Sequence, residues 1–175
     1  MPGLPATVPV EEYLRTSFPD GDCEYVDGRI VERNLGEKDH SRTQEELLFF
    51  FRTLRSTHRT YAFPEQRVQV KPVRFRVPDV CVYVGAEPEE QVFRTPPFLI
   101  VEILSRDDRA SDLQEKIDDY LTFGVPFVWV VDPRTRRAYI HTSAGSREAK
   151  DGVLRTSNPG IELSLDQLFG SRSTP

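Results

Sequence analysis

The spacing of apolar residues predicts an amphipathic helix in the first third of the chain. From about Asp39 to Thr57, apolar residues recur at intervals of three and four, which is the period of one helix face. These apolar positions are Leu47, Phe50, Phe51 and Leu54. Asp39 or Ser41 offers a side chain that can cap the start of this helix.

A second stretch, from residue 107 or 108 to Phe123, has the same helical period. Gly124 follows at the position where many helices turn into the left-handed conformation, and Pro126 comes soon after as a stop. We therefore expect a second helix that ends at Phe123. Its inward positions are Leu113, Ile117, Tyr120 and Leu121.

Apolar runs before, between and after these helices predict β-strands. A hairpin is predicted over Cys23–Asn34, because Asp27-Gly28 is typical of a two-residue turn. The further predicted strands are Thr60–Phe63, Arg67–Lys71, Arg76–Val84, Phe98–Ser105, Phe127–Asp132, Arg136–Thr142 and a weak one at Val153–Arg155. Short helical segments are predicted over Pro9–Arg15 and Leu165–Phe169.

This order of elements predicts an α/β fold, a mixed central β-sheet flanked by α-helices. The runs FLIVEIL and FVWVV are almost continuously apolar, which is typical of central strands that are buried on both faces. The helix between them predicts a right-handed crossover that joins two parallel strands. With 175 residues, we expect a single domain over residues 1–170 and a disordered tail over residues 171–175.

Two carboxylates lie in segments whose other residues are mostly apolar and are expected to be buried in the core. Asp79 directly follows Pro78, and Glu102 lies inside an apolar strand. A buried charge costs several kcal/mol unless it is paired, protonated or bound to a metal. If the two strands are neighbours, the carboxylates converge at the end of the sheet, where Mg²⁺ or Mn²⁺ would relieve their repulsion. Such an ion activates water for phosphodiester hydrolysis.

A hydrolytic site of this kind also needs a cationic side chain. The strand does not supply one, because Leu104 stands two residues after Glu102. At 100° per residue, Lys116 lies at the border of the buried stripe of the second helix, so its long stem can reach over the end of the sheet. Arg109 lies on the same side, one turn nearer to Glu102.

An ordered set of short motifs resembles the Uma-type family of bacterial restriction-endonuclease-like proteins, within the PD-(D/E)xK nuclease superfamily. The resemblance covers roughly residues 10–142. Its motifs are Glu24-Tyr25-Val26-Asp27-Gly28, His40, Val77-Pro78-Asp79, Val101-Glu102-Ile103-Leu104-Ser105, Asp112-Leu113 with Lys116 and Tyr120, and Gly124-Val125-Pro126 with Trp129-Val130-Val131-Asp132-Pro133.

The resemblance implies a restriction-endonuclease-like fold and roles for five residues. Asp79 and Glu102 would be the metal ligands, and Lys116 would be a migrated lysine that replaces the one missing at Leu104. Glu24 and His40 are further candidates for the catalytic site, where they would complete the metal shell or contact the phosphate.

The overall charge of the chain does not favour binding to nucleic acid. The net charge is −5 and the pI is near 5.3, so a DNA partner would need a local basic patch. Four arginines flank the candidate site in sequence and are candidate phosphate contacts: Arg74, Arg76, Arg106 and Arg109. Cys23 and Cys81 fit neither a zinc motif nor a disulfide framework, and we expect them in the core of a cytoplasmic protein.

These observations predict a Mg²⁺- or Mn²⁺-dependent endonuclease that acts on DNA. We expect a homodimer, because cutting two strands calls for two sites, and we expect neither a small-molecule cofactor nor a membrane partner. One alternative is a catalytically degraded nuclease fold that serves as a nucleic-acid- or protein-binding module. Another is a structural α/β interaction domain in which a salt bridge neutralises Glu102.

Overall fold

A computed structural model describes residues 7–19, 23–34 and 36–170. In these ranges the helices are α1 (Val10–Arg15), α2 (Lys38–Thr53), α3 (Arg55–His58), α4 (Ala110–Phe123) and α5 (Leu165–Phe169). The strands are β1 (Glu24–Val26), β2 (Arg29–Val31), β3 (Thr60–Pro64), β4 (Val68–Lys71), β5 (Arg74–Arg76), β6 (Val80–Val84), β7 (Leu99–Ile103), β8 (Phe127–Asp132), β9 (Arg137–Thr142), β10 (Gly145–Glu148), β11 (Val153–Arg155) and β12 (Glu162–Ser164). The predicted tail, residues 171–175, lies outside the described residues.

A six-stranded mixed sheet forms the centre of the fold, in the order β10-β9-β8-β7-β6-β3. Strands β7 and β8 are parallel and are connected through α4, while the other neighbours in this sheet are antiparallel. Every residue of β7 is buried, as is all of β8 except its first residue. The prediction of an α/β fold with these two strands at its centre is confirmed.

The alternation of side chains along β7 divides the core into two layers. Leu99, Val101 and Ile103 face the layer that contains Leu47 and Phe51 of α2. Ile100 faces the opposite layer, which is built on Ile117 and Tyr120 of α4. Because successive residues of a strand point to opposite faces, Glu102 points toward α4.

A second, four-stranded sheet has the order β2-β1-β5-β4. It contains the hairpin predicted around Asp27-Gly28, with Val26 opposite Arg29. Helix α1 covers this sheet, and Tyr13 stacks on Tyr25 with 5.1 Å between ring centroids.

The predicted strand Arg76–Val84 is wrong as one strand. It is two strands in two sheets, since β5 ends at Arg76 and β6 begins at Val80. Pro78 explains the break, because it has no N–H for a ladder and restricts the residue before it. Asp79 therefore lies at the junction of the two sheets.

The helix boundaries differ from the prediction at three ends. Helix α2 begins after Glu37, without a side-chain cap from Asp39 or Ser41, and it gives way to the short α3 after Leu54. Helix α4 begins only at Ala110. Its predicted end is confirmed, since Gly124 follows Phe123 with φ of 107°. The sequence pattern missed β10, β12 and most of β5. Strand β10 is largely exposed, whereas β12 contributes the buried Leu163 to the core.

No helix among the described residues is long and apolar enough to cross a membrane.

Replacing Leu47 with alanine should destabilise the protein by about 2–5 kcal/mol, because the side chain is fully buried between α2 and the large sheet. Urea unfolding measures this change. Phe49→Ala in the same helix is the matched control, since Phe49 is 64% exposed and its loss should cost less than about 0.5 kcal/mol. Equal effects of the two substitutions would contradict the assignment of the buried face.

Candidate active site at the junction of the two sheets

Asp79 and Glu102 are brought together by the pairing of β6 with β7. Val80 lies opposite Val101, so the next positions along this antiparallel register are Asp79 and Glu102. The backbone N–H of Ile103 donates to Oδ2 of Asp79 at 2.7 Å, which fixes the carboxylate at the end of β7. Both acids are buried, with 4% and 5% exposure.

Helix α4 supplies the partners of Glu102. Tyr120 donates its hydroxyl hydrogen to Oε1 of Glu102 at 2.6 Å, and Nζ of Lys116 lies 3.4 Å from Oε2. Burial and the nearby charges of Asp79 and Glu24 raise the pKa of Glu102 to about 7, although Lys116 opposes this rise. A crowded set of buried carboxylates thus faces one lysine.

Helix α2 and the loop after β2 supply the partners of Asp79. Nε2 of His40 lies 3.3 Å from Oδ1 of Asp79, and a guanidinium nitrogen of Arg33 lies 2.6 Å from the same oxygen. One turn after His40, the side chain of Gln44 donates to the backbone carbonyl of Asp79 at 2.9 Å. Burial alone would raise the pKa of Asp79, but the contacts with His40, Arg33 and the Ile103 N–H lower it.

Glu24 joins the site from the first position of β1. It accepts from the backbone N–H of Val77 at 3.2 Å and from Arg76 at 2.8 Å, and Nζ of Lys116 lies 3.1 Å away. Burial opposes ionisation, yet the charges of Lys116 and Arg76 lower the pKa of Glu24. Against the cost of its own burial, the charges of Glu102 and Glu24 raise the pKa of Lys116, which stays protonated at neutral pH.

An ion-pair chain continues from Glu24 into the small sheet. Arg76 bridges Glu24 and Asp119, with 2.7 Å between Nη2 and Oδ2 of Asp119. Asp119 is 2% exposed on α4 and also pairs with Lys71 and Arg74. The chain of alternating charges couples α4 to the small sheet and to the site.

The predicted phosphate contacts divide into two pairs. Arg76 is buried between carboxylates, and Arg74 pairs with Asp27, Glu115 and Asp119. Both arginines are therefore ion-pair partners within the fold. Their charges are already balanced by these carboxylates, and their contact with DNA stays a prediction. Arg106 and Arg109 are exposed, and Arg106 pairs with the exposed Glu37 at 3.8 Å.

The site opens into a cleft of about 580 Å³ between the two sheets and the start of α4. Its walls include every candidate catalytic residue: Glu24, His40, Asp79, Glu102 and Lys116. Leu104 also lines it, at the place where the strand lacks a lysine, and Arg109 lies at the edge toward α4. Acidic side chains outnumber basic ones in this lining.

The profile of the family described as "Uma2: Putative restriction endonuclease" matches residues 10–172. The chain belongs to the Uma2 family. A solved structure with a similar fold is titled a "putative nuclease belonging to DUF820 from Anabaena variabilis ATCC 29413". It shares 22% identity and a TM-score of 0.79, over 94% of this chain and 98% of that one. No curated protein matches the chain.

Restriction-endonuclease-like nucleases generally use divalent metals, and the donor set of this Uma2 site fits such an ion. Asp79 and Glu102 offer hard carboxylate oxygens that line one cleft. In the described parts of the chain, no three His, Cys, Asp or Glu side chains form a ligand cluster. Two carboxylates suit Mg²⁺, which usually keeps several of its water ligands.

Sequence reasoning missed three side chains that hold the Uma2 site together. Gln44 was detectable in principle, because it lies four residues after His40 on the same helix face. Arg33 lies in an irregular loop. Asp119 lies on α4 and faces the small sheet, which the sequence analysis did not distinguish from the central sheet. Only the tertiary arrangement shows that Arg33 reaches the buried Asp79 and that Asp119 reaches the buried Arg76.

Replacing Arg76 with methionine should lower the free energy of unfolding by about 3–5 kcal/mol, because Glu24 and Asp119 then lose their shared buried partner. Chemical denaturation measures the loss. Arg137→Met is the control: this arginine also pairs with a glutamate, Glu148, but on the surface, and its replacement should change stability little. A stable Arg76→Met protein would show that the ion-pair chain contributes little.

Proposed function

We propose that the protein is a divalent-metal-dependent nuclease that hydrolyses DNA phosphodiester bonds. The observation that carries this proposal is the pairing of two buried carboxylates, Asp79 and Glu102, beside the protonated Lys116 in an open cleft. Membership of the Uma2 family supports the class of reaction. Asp79 and Glu102 would hold a magnesium ion, which would serve as a Lewis acid and lower the pKa of its bound water.

Lys116 stabilises negative charge during hydrolysis. Its raised pKa keeps the ammonium protonated, so it donates hydrogen bonds to the attacking water or to a phosphate oxygen and does not serve as a base. Its side chain is 20% exposed, which gives it access to the cleft. Lys116 on α4 thus replaces the strand lysine that is missing at Leu104.

Glu24 and His40 act as positioning residues. Glu24 pairs with Lys116 at 3.1 Å, and Glu102 contacts the same ammonium at 3.4 Å. His40 holds Asp79 from α2, and its pKa is raised by the hydrogen bond to that carboxylate in spite of burial. Both residues set the orientation of groups that meet the substrate.

Contacts with DNA come from the exposed Arg106 and Arg109 near the start of α4. The acidic lining of the cleft disfavours a phosphodiester, and a divalent cation bound there would offset part of that charge. A homodimer would present two such sites for the two strands of a duplex.

The alternative of a degraded nuclease fold has two observations in its favour. Leu104 leaves the strand without a lysine, and Arg33 already neutralises Asp79 without any metal. Metal binding without cleavage of any DNA would favour this binding module over the nuclease.

Asp79→Asn and Glu102→Gln should abolish Mg²⁺- or Mn²⁺-dependent plasmid cleavage and should remove the rise in melting temperature that Mn²⁺ gives the wild type. Each change keeps the shape of the side chain and deletes one ligand charge. Glu89→Gln, an exposed loop acid, is the control and should keep both properties. If Mn²⁺ neither binds nor stabilises the wild type, the metal site and the nuclease proposal both fail.

Lys116→Met should reduce the rate of cleavage by a factor on the order of 10², while Mn²⁺ binding persists. The reason is that the lysine acts on developing charge and the carboxylates bind the metal without it. Single-turnover cleavage and Mn²⁺ titration separate the two effects. Lys150→Met removes an exposed lysine as a control. Unchanged cleavage by Lys116→Met would exclude the proposed role.

A further inference from the structure

Arg33 places a positive charge beside the buried carboxylate of Asp79. The residue belongs to the loop between β2 and α2, and its side chain is 16% exposed. One arm of its guanidinium reaches Oδ1 of the buried Asp79 at 2.6 Å, and the other reaches Oε1 of the exposed Glu65 at 3.3 Å.

Both oxygens of Asp79 already have donors. Oδ1 faces Arg33 and His40, while Oδ2 accepts from the N–H of Ile103. The N–H and the imidazole are fixed by a strand and a helix, so they stay in place. The guanidinium is a full positive charge within hydrogen-bonding distance, and a divalent cation on the same carboxylate would be repelled by it. The two cations therefore compete for Asp79.

The arginine is also the partner that can leave. The second partner of Arg33 is Glu65, whose side chain is 53% exposed. The backbone of Arg33 lies in a loop that borders the cleft. A guanidinium has a planar fork that matches the oxygens of a phosphate. In an acidic cleft, a released arginine provides a phosphate contact close to the scissile position.

We propose that Arg33 is the resident counter-ion of Asp79, that a divalent cation displaces it, and that the freed guanidinium then binds a phosphate of the nucleic acid. This inference rests on the proposed metal-dependent function and adds a handover that couples metal binding to substrate binding. It assigns to Arg33 a role that neither its loop position nor the family motifs indicate.

Mn²⁺ titration of the full-length protein without nucleic acid tests the competition. Arg33→Gln should bind Mn²⁺ roughly tenfold or more tightly than the wild type, since a charge-assisted hydrogen bond no longer competes. Arg109→Gln removes the same charge from the same cleft without touching Asp79, and its affinity should stay within about threefold. Equal gains in the two variants would overturn the proposal, because the effect would then be general electrostatics.

A second measurement works on the wild type even if Arg33→Gln does not fold. The side-chain ¹⁵N–¹H signal of Arg33, assigned by comparison with Arg33→Lys, should shift and exchange faster with solvent at saturating Mg²⁺. An unchanged signal with Mg²⁺ bound overturns the displacement and leaves the proposed nuclease intact. Failure of the wild type and of Arg33→Gln to bind any divalent ion overturns both.

Binding of a labelled DNA duplex in Ca²⁺ tests the handover to phosphate. Arg33→Gln should weaken binding and reduce the salt dependence of the affinity by about one phosphate contact. Arg147→Gln, on the exposed strand β10, is the control and should bind as the wild type does. Unaltered DNA affinity and salt dependence in Arg33→Gln would overturn the handover.

Discussion

The need to neutralise carboxylates in a buried place governs this structure. Glu24 comes from β1, Asp79 from the break between β5 and β6, and Glu102 from β7, and the three meet where the two sheets adjoin. Each is desolvated, and such groups are tolerated only with charged or hydrogen-bonding partners. The surrounding elements supply these partners: α2 gives His40, and α4 gives Lys116. The fold can be understood as the packing that brings those partners to the three acids.

The break at Pro78 gives the site its position. A continuous strand would have carried Asp79 into the middle of a ladder, with its carboxylate among apolar neighbours. Because the chain leaves the small sheet at Arg76 and enters the large sheet at Val80, the intervening residues lie in a gap that is open to the cleft. The apolar core of each sheet remains intact, and the polar groups are gathered at the one place where neither sheet continues.

Much of this arrangement could be predicted from local pattern. The apolar runs of β7 and β8 require burial on both faces, and the helical period around Ile117 fixes which face of α4 turns inward. Lys116 lies at the border of that face, so the pattern places it within reach of Glu102, and the structure shows this contact. The division into two sheets has a local signal in Pro78, which cannot donate to a ladder, but the sequence does not show that the segments on either side of it join different sheets. Likewise, Arg33, Arg76 and Asp119 look like surface charges in the sequence. Only long-range contacts reveal the two arginines as partners of buried acids and Asp119 as a buried partner of Arg76.

The ion pairs that run from Lys71 through Asp119, Arg76 and Glu24 to Lys116 alternate in sign along their whole length. In such an arrangement, the stability of the fold depends less on which residue carries each charge than on whether neighbouring charges have opposite sign. A change that deletes one charge leaves two neighbours of equal sign close together, whereas a second change of opposite sign restores neutrality. Divergence within this part of the molecule should therefore proceed by paired, compensating substitutions, so that the sum of charge is retained while the individual residues drift.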